Sequence, residues 1–194
     1  MNQLIDIGIN LMHRSFNPDR ADIVRNAEKA GVTPLIITGT SVRDSEAAAK
    51  YAGLYKGKLF STAGVHPHDA KSCDNRTIGQ LRKLGRLPQV VAVGECGLDY
   101  DRDFSPRDVQ RKWFEAQISL AEEEDMPLFL HERAAFTDFF AILEKHGDAC
   151  GKAVVHCFTG SKDELIVYLS LGLTDLAEYL NIDINLMKQV TLFH

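Results

Sequence analysis

Three histidines and one glutamate each follow a separate apolar run of the sequence, and together they could do chemistry. These residues are His66, Glu95, His131 and His156. Imidazole nitrogen and carboxylate oxygen are ligands for Zn, Mn, Fe or Mg, and a metal with open coordination positions activates water near neutral pH. A single histidine at the end of a strand is more often a hydrogen-bonded structural residue. Four such residues after four separate runs favour a metal site instead.

Glu95 lies in the stretch VVAVGECGLDY at residues 90–100. An apolar run without polar alternation predicts a strand that is buried on both faces, as in parallel sheets. We expect this strand to end at Glu95, where Gly94 and Gly97 would let the backbone turn sharply. A carboxylate that leaves such a strand must be paired or bound to a metal, because burying an unpaired charge is costly.

Strand-like runs alternate with helix-like segments along most of the chain. Strands are predicted to begin near residues 4, 34, 59, 90, 127 and 153, and helices to span residues 18–30, 44–54, 77–84, 106–124 and 162–171. A spacing of roughly 25–37 residues is the period of βα units whose helices cross between parallel strands.

This alternation predicts an α/β fold, either an open doubly wound sheet or a parallel (β/α)8 TIM-like barrel. Polar residues follow nearly every predicted strand, and a barrel gathers all its strand ends around one mouth, so we favour the barrel. After Gly172 the sequence shows no seventh or eighth strand. We therefore expect a barrel that is incomplete after strand six.

The composition predicts a single globular domain over residues 1–194, with 45% hydrophobic residues and a formal net charge of -5. An acidic chain has no overall positive field for nucleic acid or an anionic membrane. No apolar run approaches the ~20 residues of a membrane span, and no signal sequence is evident, so we expect a cytoplasmic protein without membrane contact. The four cysteines have no CxxC spacing, which predicts free thiols in a reducing compartment.

Other polar residues near the strand ends have two interpretations each. Asp99 could orient a ligand or begin a turn, and Arg133 could contact a phosphate or pair with a carboxylate. Cys96 and Cys157 are neighbours of the proposed ligands in sequence. Because side chains alternate along a strand, we expect both thiols to point into packing rather than into a site.

Six motifs carry a resemblance to a known family, in order along the chain. They are DIGIN at 6–10, ITGT at 37–40, STAGVHPHD at 61–69, VVAVGECGLDYDR at 90–102, PLFLHER at 127–133 and VVHCFTG at 154–160. They resemble the TatD family of metal-dependent deoxyribonucleases, which is similar to the amidohydrolase barrels. The resemblance implies a barrel of the metal-dependent hydrolase type and hydrolysis of phosphodiesters. It also implies 3′ to 5′ exonuclease action on the ends of single-stranded DNA or RNA, with a role in DNA repair or degradation.

Carried over residue by residue, the resemblance implies that Glu95, His131 and His156 are metal ligands. It implies that His66 is a catalytic histidine near the scissile phosphate. Further candidates for orienting ligands or contacting phosphate are Asp6, Asn10, His68, Asp99 and Arg133.

The first strand departs from the pattern of many family members. They carry Asp-x-His-x-His there, whereas Gly8 and Asn10 follow Asp6 in this sequence. A second metal would lack two imidazoles, and this DIGxN form implies looser binding. The resemblance therefore favours Mg²⁺, with Zn²⁺ or Mn²⁺ as alternatives.

A second departure follows Gly172. The family continues through two more strands and an acidic metal ligand, whereas residues 174–194 resemble only its C-terminal helices. We expect a longer monomeric protein, with a segment between Gly172 and Thr174 that intact-mass spectrometry would reveal. A mass near 21.6 kDa would instead predict weak activity and a dimer through open sheet edges.

Two alternative functions remain open from the sequence. The metal residues would serve a small-molecule amidohydrolase equally well, and the acidic charge slightly favours one. An incomplete barrel could also be an inactive remnant with a binding role. For a nuclease, Phe104 and Phe136 beyond the strands could stack on bases, although aromatic residues near helices are more often core.

Overall fold

A parallel β-sheet forms the centre of the molecule in the computed structural model, which describes residues 4–175. Its strands lie in sequence order, each parallel to the next. The strands are β1 (Leu4–Ile9), β2 (Val32–Ile37), β3 (Leu59–Ala63), β4 (Val90–Asp99), β5 (Leu128–Arg133), β6 (Ala153–His156) and β7 (Thr174–Asp175). This is the strand order of a (β/α)8 barrel, and it confirms the predicted fold class.

Within residues 4–175 the sheet ends after six principal strands, as the sequence predicts, with one difference. It forms a curled part-barrel of six strands. The backbone of Thr174 and Asp175 adds a two-residue strand beside β6, where no seventh strand is predicted. The resemblance of the following residues to terminal helices falls on 176–194, outside the described residues.

Helices connect successive strands and cover the outer face of the sheet. They are α1 (Arg20–Lys29), α2 (Val42–Ala52), α3 (Thr77–Gly85), α4 (Arg107–Glu123), α5 (Phe136–Leu143), α6 (Gly147–Cys150) and α7 (Lys162–Ser170). All five predicted helices are present, with ends that differ by two residues or fewer. Serine side chains cap two of them: Ser41 accepts a hydrogen bond from Asp44, and Ser161 forms a capping box with Glu164.

Helix α5 is missing from the predicted elements. Its sequence, FTDFFAIL, spans only eight residues, and the aromatic residues, Thr and Asp in its first half have low helix propensity, so the local signal for a helix is weak. Phe139 and Leu143 are fully buried, and the Phe139 ring stacks on Phe114 of α4 at 5.0 Å between centroids. Phe136 begins this helix and packs on Tyr168, which makes it a core residue rather than a loop aromatic.

Strand β4 continues four residues beyond Glu95, to Asp99, which corrects the expected strand end. Its pairing with β5 is irregular between Gly94 and Cys96, so Glu95 is an extra residue relative to the partner strand. Gly94 and Gly97 do not form a sharp turn. They let β4 approach β5 closely, because a Cβ at Gly97 would overlap the carbonyl oxygen of His131.

None of the described helices is both long and apolar enough to cross a membrane.

The close approach of β4 to β5 predicts that Gly97→Ala destabilises the fold. Gly97 has φ +147°, a conformation that disfavours a side chain, and the new methyl group would meet the β5 backbone. We expect a loss of more than about 2 kcal/mol in the free energy of unfolding. Urea denaturation measures this loss.

Gly79→Ala is the matched control, because Gly79 lies in α3 with open space where the methyl group would go. This change should stabilise the fold by up to ~1 kcal/mol through higher helix propensity. Equal stability of the two variants would contradict the close approach.

Candidate metal centre

Three of the four sequence-predicted residues meet at the carboxyl ends of β3, β4 and β5. One donor atom each from His66, Glu95 and His131 lies within 4.8 Å of the others. The Glu95 Oε1 atom is 3.1 Å from Nδ1 of His131 and 3.9 Å from Nε2 of His66. All three side chains are nearly buried, with 9–13% of their surface exposed. The cluster is therefore a preformed set of metal-binding groups that is shielded from bulk water.

Asp99 forms a second layer behind these residues. Its Oδ2 atom lies within hydrogen-bonding distance of Nε2 of His68, at 2.7 Å, and of Nε2 of His131, at 3.3 Å. The Oδ1 atom accepts from the backbone N–H groups of Asp101 and Arg102. Both interpretations of Asp99 from the sequence therefore hold, since one oxygen orients histidines and the other forms a turn.

Two glutamines of α4 hold the strand ends, and the sequence analysis did not identify them. Gln117 accepts a hydrogen bond from Val65 N–H at 2.7 Å and donates one to the Val65 carbonyl oxygen. Gln110 makes the same pair of bonds to the backbone of Asp99. Both glutamines are 1% exposed and seven residues apart on one helix. Two polar residues seven apart on the buried face of a predicted helix were the sequence signal that could have identified these glutamines.

The position of His66 follows from this clamp at Val65. His66 comes directly after Val65 and caps a 3-10 turn at Pro67–Ser72. Its Nδ1 atom accepts a hydrogen bond from the His68 backbone N–H at 3.2 Å. In the neutral ring the proton is then on Nε2, the nitrogen that faces Glu95.

Burial and charge set the protonation of the cluster. Burial lowers the pKa of His66 to about 3, and the nearby carboxylate of Glu95 offsets only part of this effect. For Glu95, burial favours the neutral acid, but the hydrogen bond from His131 and the surrounding imidazoles outweigh it and leave its pKa below the usual range. Asp99 has a lowered pKa for a similar reason, because hydrogen bonds from Arg102 N–H and His68 outweigh desolvation. At neutral pH the site therefore holds two carboxylates and a neutral His66.

His156 lies next to this group but does not belong to it in the described residues. It pairs with His131 across β5 and β6, and its imidazole contributes to lowering the pKa of Glu95. Its ring packs on Phe129 at 4.9 Å between centroids, and its Nε2 atom is 3.1 Å from Sγ of Cys157. A Cβ at Gly8 would lie 2.7 Å from the imidazole Cε1, so the His156 ring occupies the space beside β1.

The remaining candidates on β1 are farther from the chemistry. The Oδ1 atom of Asp6 accepts a hydrogen bond from the Gly8 backbone N–H, and Asn10 is exposed just beyond the end of the strand.

Cys96 is fully buried, as expected, and burial raises the pKa of its thiol. Cys157 is exposed, because its backbone adopts φ +49° and strand alternation no longer applies after β6. The expectation that Cys157 points into packing is therefore wrong.

Arg133 lines an open cleft of about 780 Å³ beside the cluster. The cleft is bounded by the ends of β4, β5 and β6 and by the first residues of α5, including Tyr100, Thr159 and Gly160. In the described part of the chain, the Arg133 guanidinium has no hydrogen bond or ion pair to another side chain. It is therefore free to contact an anion in the cleft.

The donor set fits a divalent cation. Two imidazole nitrogens and one carboxylate oxygen suit Zn²⁺ or Mn²⁺ and are compatible with Mg²⁺, and three protein donors leave coordination positions for substrate and water. Glu95 and Asp99 are held ionised, so the negative charge that would balance a cation is already present.

Known proteins are similar to this chain in sequence over most of its length. A protein from Pantoea vagans named 3′-5′ ssDNA/RNA exonuclease TatD is 45% identical over 171 residues, which is 88% of this chain and 66% of that protein. The corresponding protein from Dickeya dadantii is 47% identical over 170 residues, 88% of this chain and 64% of that protein. The chain therefore spans slightly less than two thirds of the length of these relatives.

A solved structure is also similar to this chain. The crystal structure of YjjV, a TatD homologue from Escherichia coli K12, superposes with a TM-score of 0.82 at 27% identity, over 89% of this chain and 67% of that one. The family model described as "TatD related DNase" matches residues 5–174, which include every residue of the cluster. The chain belongs to the TatD related DNase family.

Proposed function

We propose that this chain is a metal-dependent phosphodiester hydrolase that removes nucleotides from the 3′ end of single-stranded DNA, and of RNA as well. The observation that carries this proposal is the buried His66–Glu95–His131 cluster at the mouth of the sheet. Relatives at 45% and 47% identity are named as exonucleases of this kind.

Glu95, His131 and His156 are the proposed metal ligands. A divalent metal held there would supply Lewis-acid activation of the phosphodiester and of the attacking water. Mg²⁺ is the first candidate, although the imidazole donors suit Mn²⁺ and Zn²⁺ as well. Asp99 orients the His131 ring by contacting its Nε2 atom, as carboxylates commonly do for metal-binding histidines.

His66 has a different proposed role, as a hydrogen-bond donor to the phosphate. Its Nδ1 atom already accepts the hydrogen bond from His68, so the neutral ring presents Nε2–H to the cluster. In that tautomer Nε2 can donate to a phosphoryl oxygen instead of binding the metal, so His66, although it belongs to the cluster, is not among the proposed ligands. Charge development on that oxygen would strengthen this hydrogen bond in the transition state.

The open cleft beside Arg133 gives the proposed path for the nucleic acid strand. An unpaired guanidinium is a good phosphate ligand, and Arg133 lies two residues after His131 on β5. Contacts to phosphate carry no base information, so we expect little sequence preference. We further propose that the protein acts as a monomer in the cytoplasm, in DNA repair or degradation.

The first experiment compares the parent chain with Glu95→Gln. We expect metal-dependent release of nucleotides from 3′-labelled single-stranded DNA and RNA, and a loss of about 100-fold or more in the variant, since the amide keeps the shape and removes the charge. Glu46→Gln is the control, because Glu46 is exposed on α2. Full turnover by Glu95→Gln, or none by the parent with any of the three metals, would contradict the proposal.

A second experiment separates the roles of the histidines by measuring metal content and rate together. His131→Ala and His156→Ala should weaken metal retention, because each removes a proposed ligand. His66→Ala should keep the metal and lose turnover by about 10²–10⁴-fold. Equal loss of metal in all three variants would show that His66 is also a ligand.

A third experiment tests the protonation of His66 in the metal-free protein. Because burial lowers its pKa from 6.5 to about 3, the folded state binds this proton more weakly than the unfolded state does. This group therefore costs stability as pH falls from 6.5 towards 3, and costs nothing above that window. The His66 ring signals in an NMR titration, assigned by their absence in His66→Asn, should show no inflection above pH 4. An inflection near 6.5 would contradict the assignment.

A further inference from the structure

Phe104 is an aromatic side chain that stands exposed beside the cluster. It is 54% exposed, on the loop that joins β4 to α4. Its ring makes an edge contact with His68, with 4.7 Å between centroids. Most of one large apolar ring therefore faces solvent next to buried catalytic groups. Folding gains little from a side chain in this position.

The loop that carries Phe104 is fastened on both sides. The Lys71 Nζ atom donates a hydrogen bond to the Phe104 carbonyl oxygen at 2.8 Å. The next residue, Ser105, is 1% exposed, and its hydroxyl donates to the His68 carbonyl oxygen and accepts from Lys71 N–H. Gln110 donates to the Ser105 carbonyl oxygen. The backbone under the exposed ring is thus held in place before any ligand arrives.

A short series of ring contacts connects Phe104 to the proposed catalytic groups. The His68 ring lies 4.3 Å from the His66 ring, and the His66 ring lies 4.4 Å from that of His131. His68 is also fixed from behind by Asp99. A phosphate at the cluster would therefore have its neighbouring sugar and base within reach of Phe104.

The charged groups near Phe104 are compatible with binding of a nucleic acid strand. The Lys71 ammonium is exposed beside the ring and has protons left for a phosphate oxygen. The nearby carboxylate of Asp103 is paired with Arg107. Proteins that bind single strands combine such cations with exposed aromatic rings on which bases stack, regardless of base identity.

We propose that Phe104 is the stacking platform for the base of a nucleotide next to the scissile phosphate. This rests on the proposed function and adds a binding subsite to it. The ligand is the end of a single-stranded nucleic acid, and both DNA and RNA carry the base that the ring would contact. Stacking tolerates every base, so the subsite would discriminate single strands from paired ends rather than one sequence from another.

Binding measurements with and without the base test this subsite. Labelled single-stranded DNA and RNA are titrated with the full chain in Ca²⁺, and the dissociation constant is read by fluorescence anisotropy. We expect Phe104→Ala to raise the dissociation constant about tenfold for both nucleic acids, Phe104→Leu to raise it less, and Phe104→Tyr to leave it unchanged. Leu54→Ala is the matched control, since Leu54 is 72% exposed and precedes β3 at the opposite end of the sheet.

The same titrations use strands with an abasic unit at the last or the second-to-last position. An abasic unit at one of these two positions should weaken binding to the parent chain about tenfold. The same abasic unit should not weaken binding to Phe104→Ala any further. If Phe104→Ala loses the same factor on every abasic strand, the residue acts through His68 and the stacking proposal is wrong. Unchanged binding by Phe104→Ala is also evidence against it. If the parent chain binds neither DNA nor RNA, the proposed function itself fails.

Discussion

The buried negative charge of Glu95 is the constraint on which the rest of the site depends. A carboxylate with 9% of its side chain exposed is stable only when donors surround it, and here the donors are imidazoles from neighbouring strands. Asp99 repeats the arrangement one layer behind, with its own histidine and backbone donors. Each acid needs a hydrogen-bonding partner from another strand. The ends of β3, β4 and β5 must therefore lie at fixed positions relative to one another.

Helix α4 supplies much of that alignment. Gln110 and Gln117 both complete backbone hydrogen bonds at strand ends, one at Asp99 and the other at Val65. Their amides replace the next strand's N–H and C=O groups at the point where the ladder stops, so the chain can leave the sheet without orphaned polar groups. Apolar residues of the same helix, including Ile118, pack on the sheet below. One helix thus stabilises the core and sets the geometry of the candidate metal centre.

Much of the fold could be predicted from the sequence, because the spacing of apolar runs is a local property. The six principal strands, five helices and the meeting of His66, Glu95 and His131 all follow from it. The course of β4 beyond Glu95 could not be predicted, since a glycine permits a turn and a close strand contact equally well. Helix α5 is short and begins with residues of low helix propensity, and the orientation of Cys157 depends on a single positive φ angle. The backbone hydrogen bonds of Gln110 and Gln117 could not be predicted, because the sequence does not show which backbone groups at the strand ends lack a partner in the sheet.

The missing side chain at Gly8 couples two distant parts of the sequence. The His156 ring occupies the volume that any larger residue on β1 would need. A residue larger than glycine at position 8 would therefore require the His156 ring to turn away. The effect of a substitution at position 8 consequently depends on a residue nearly 150 positions later in the sequence.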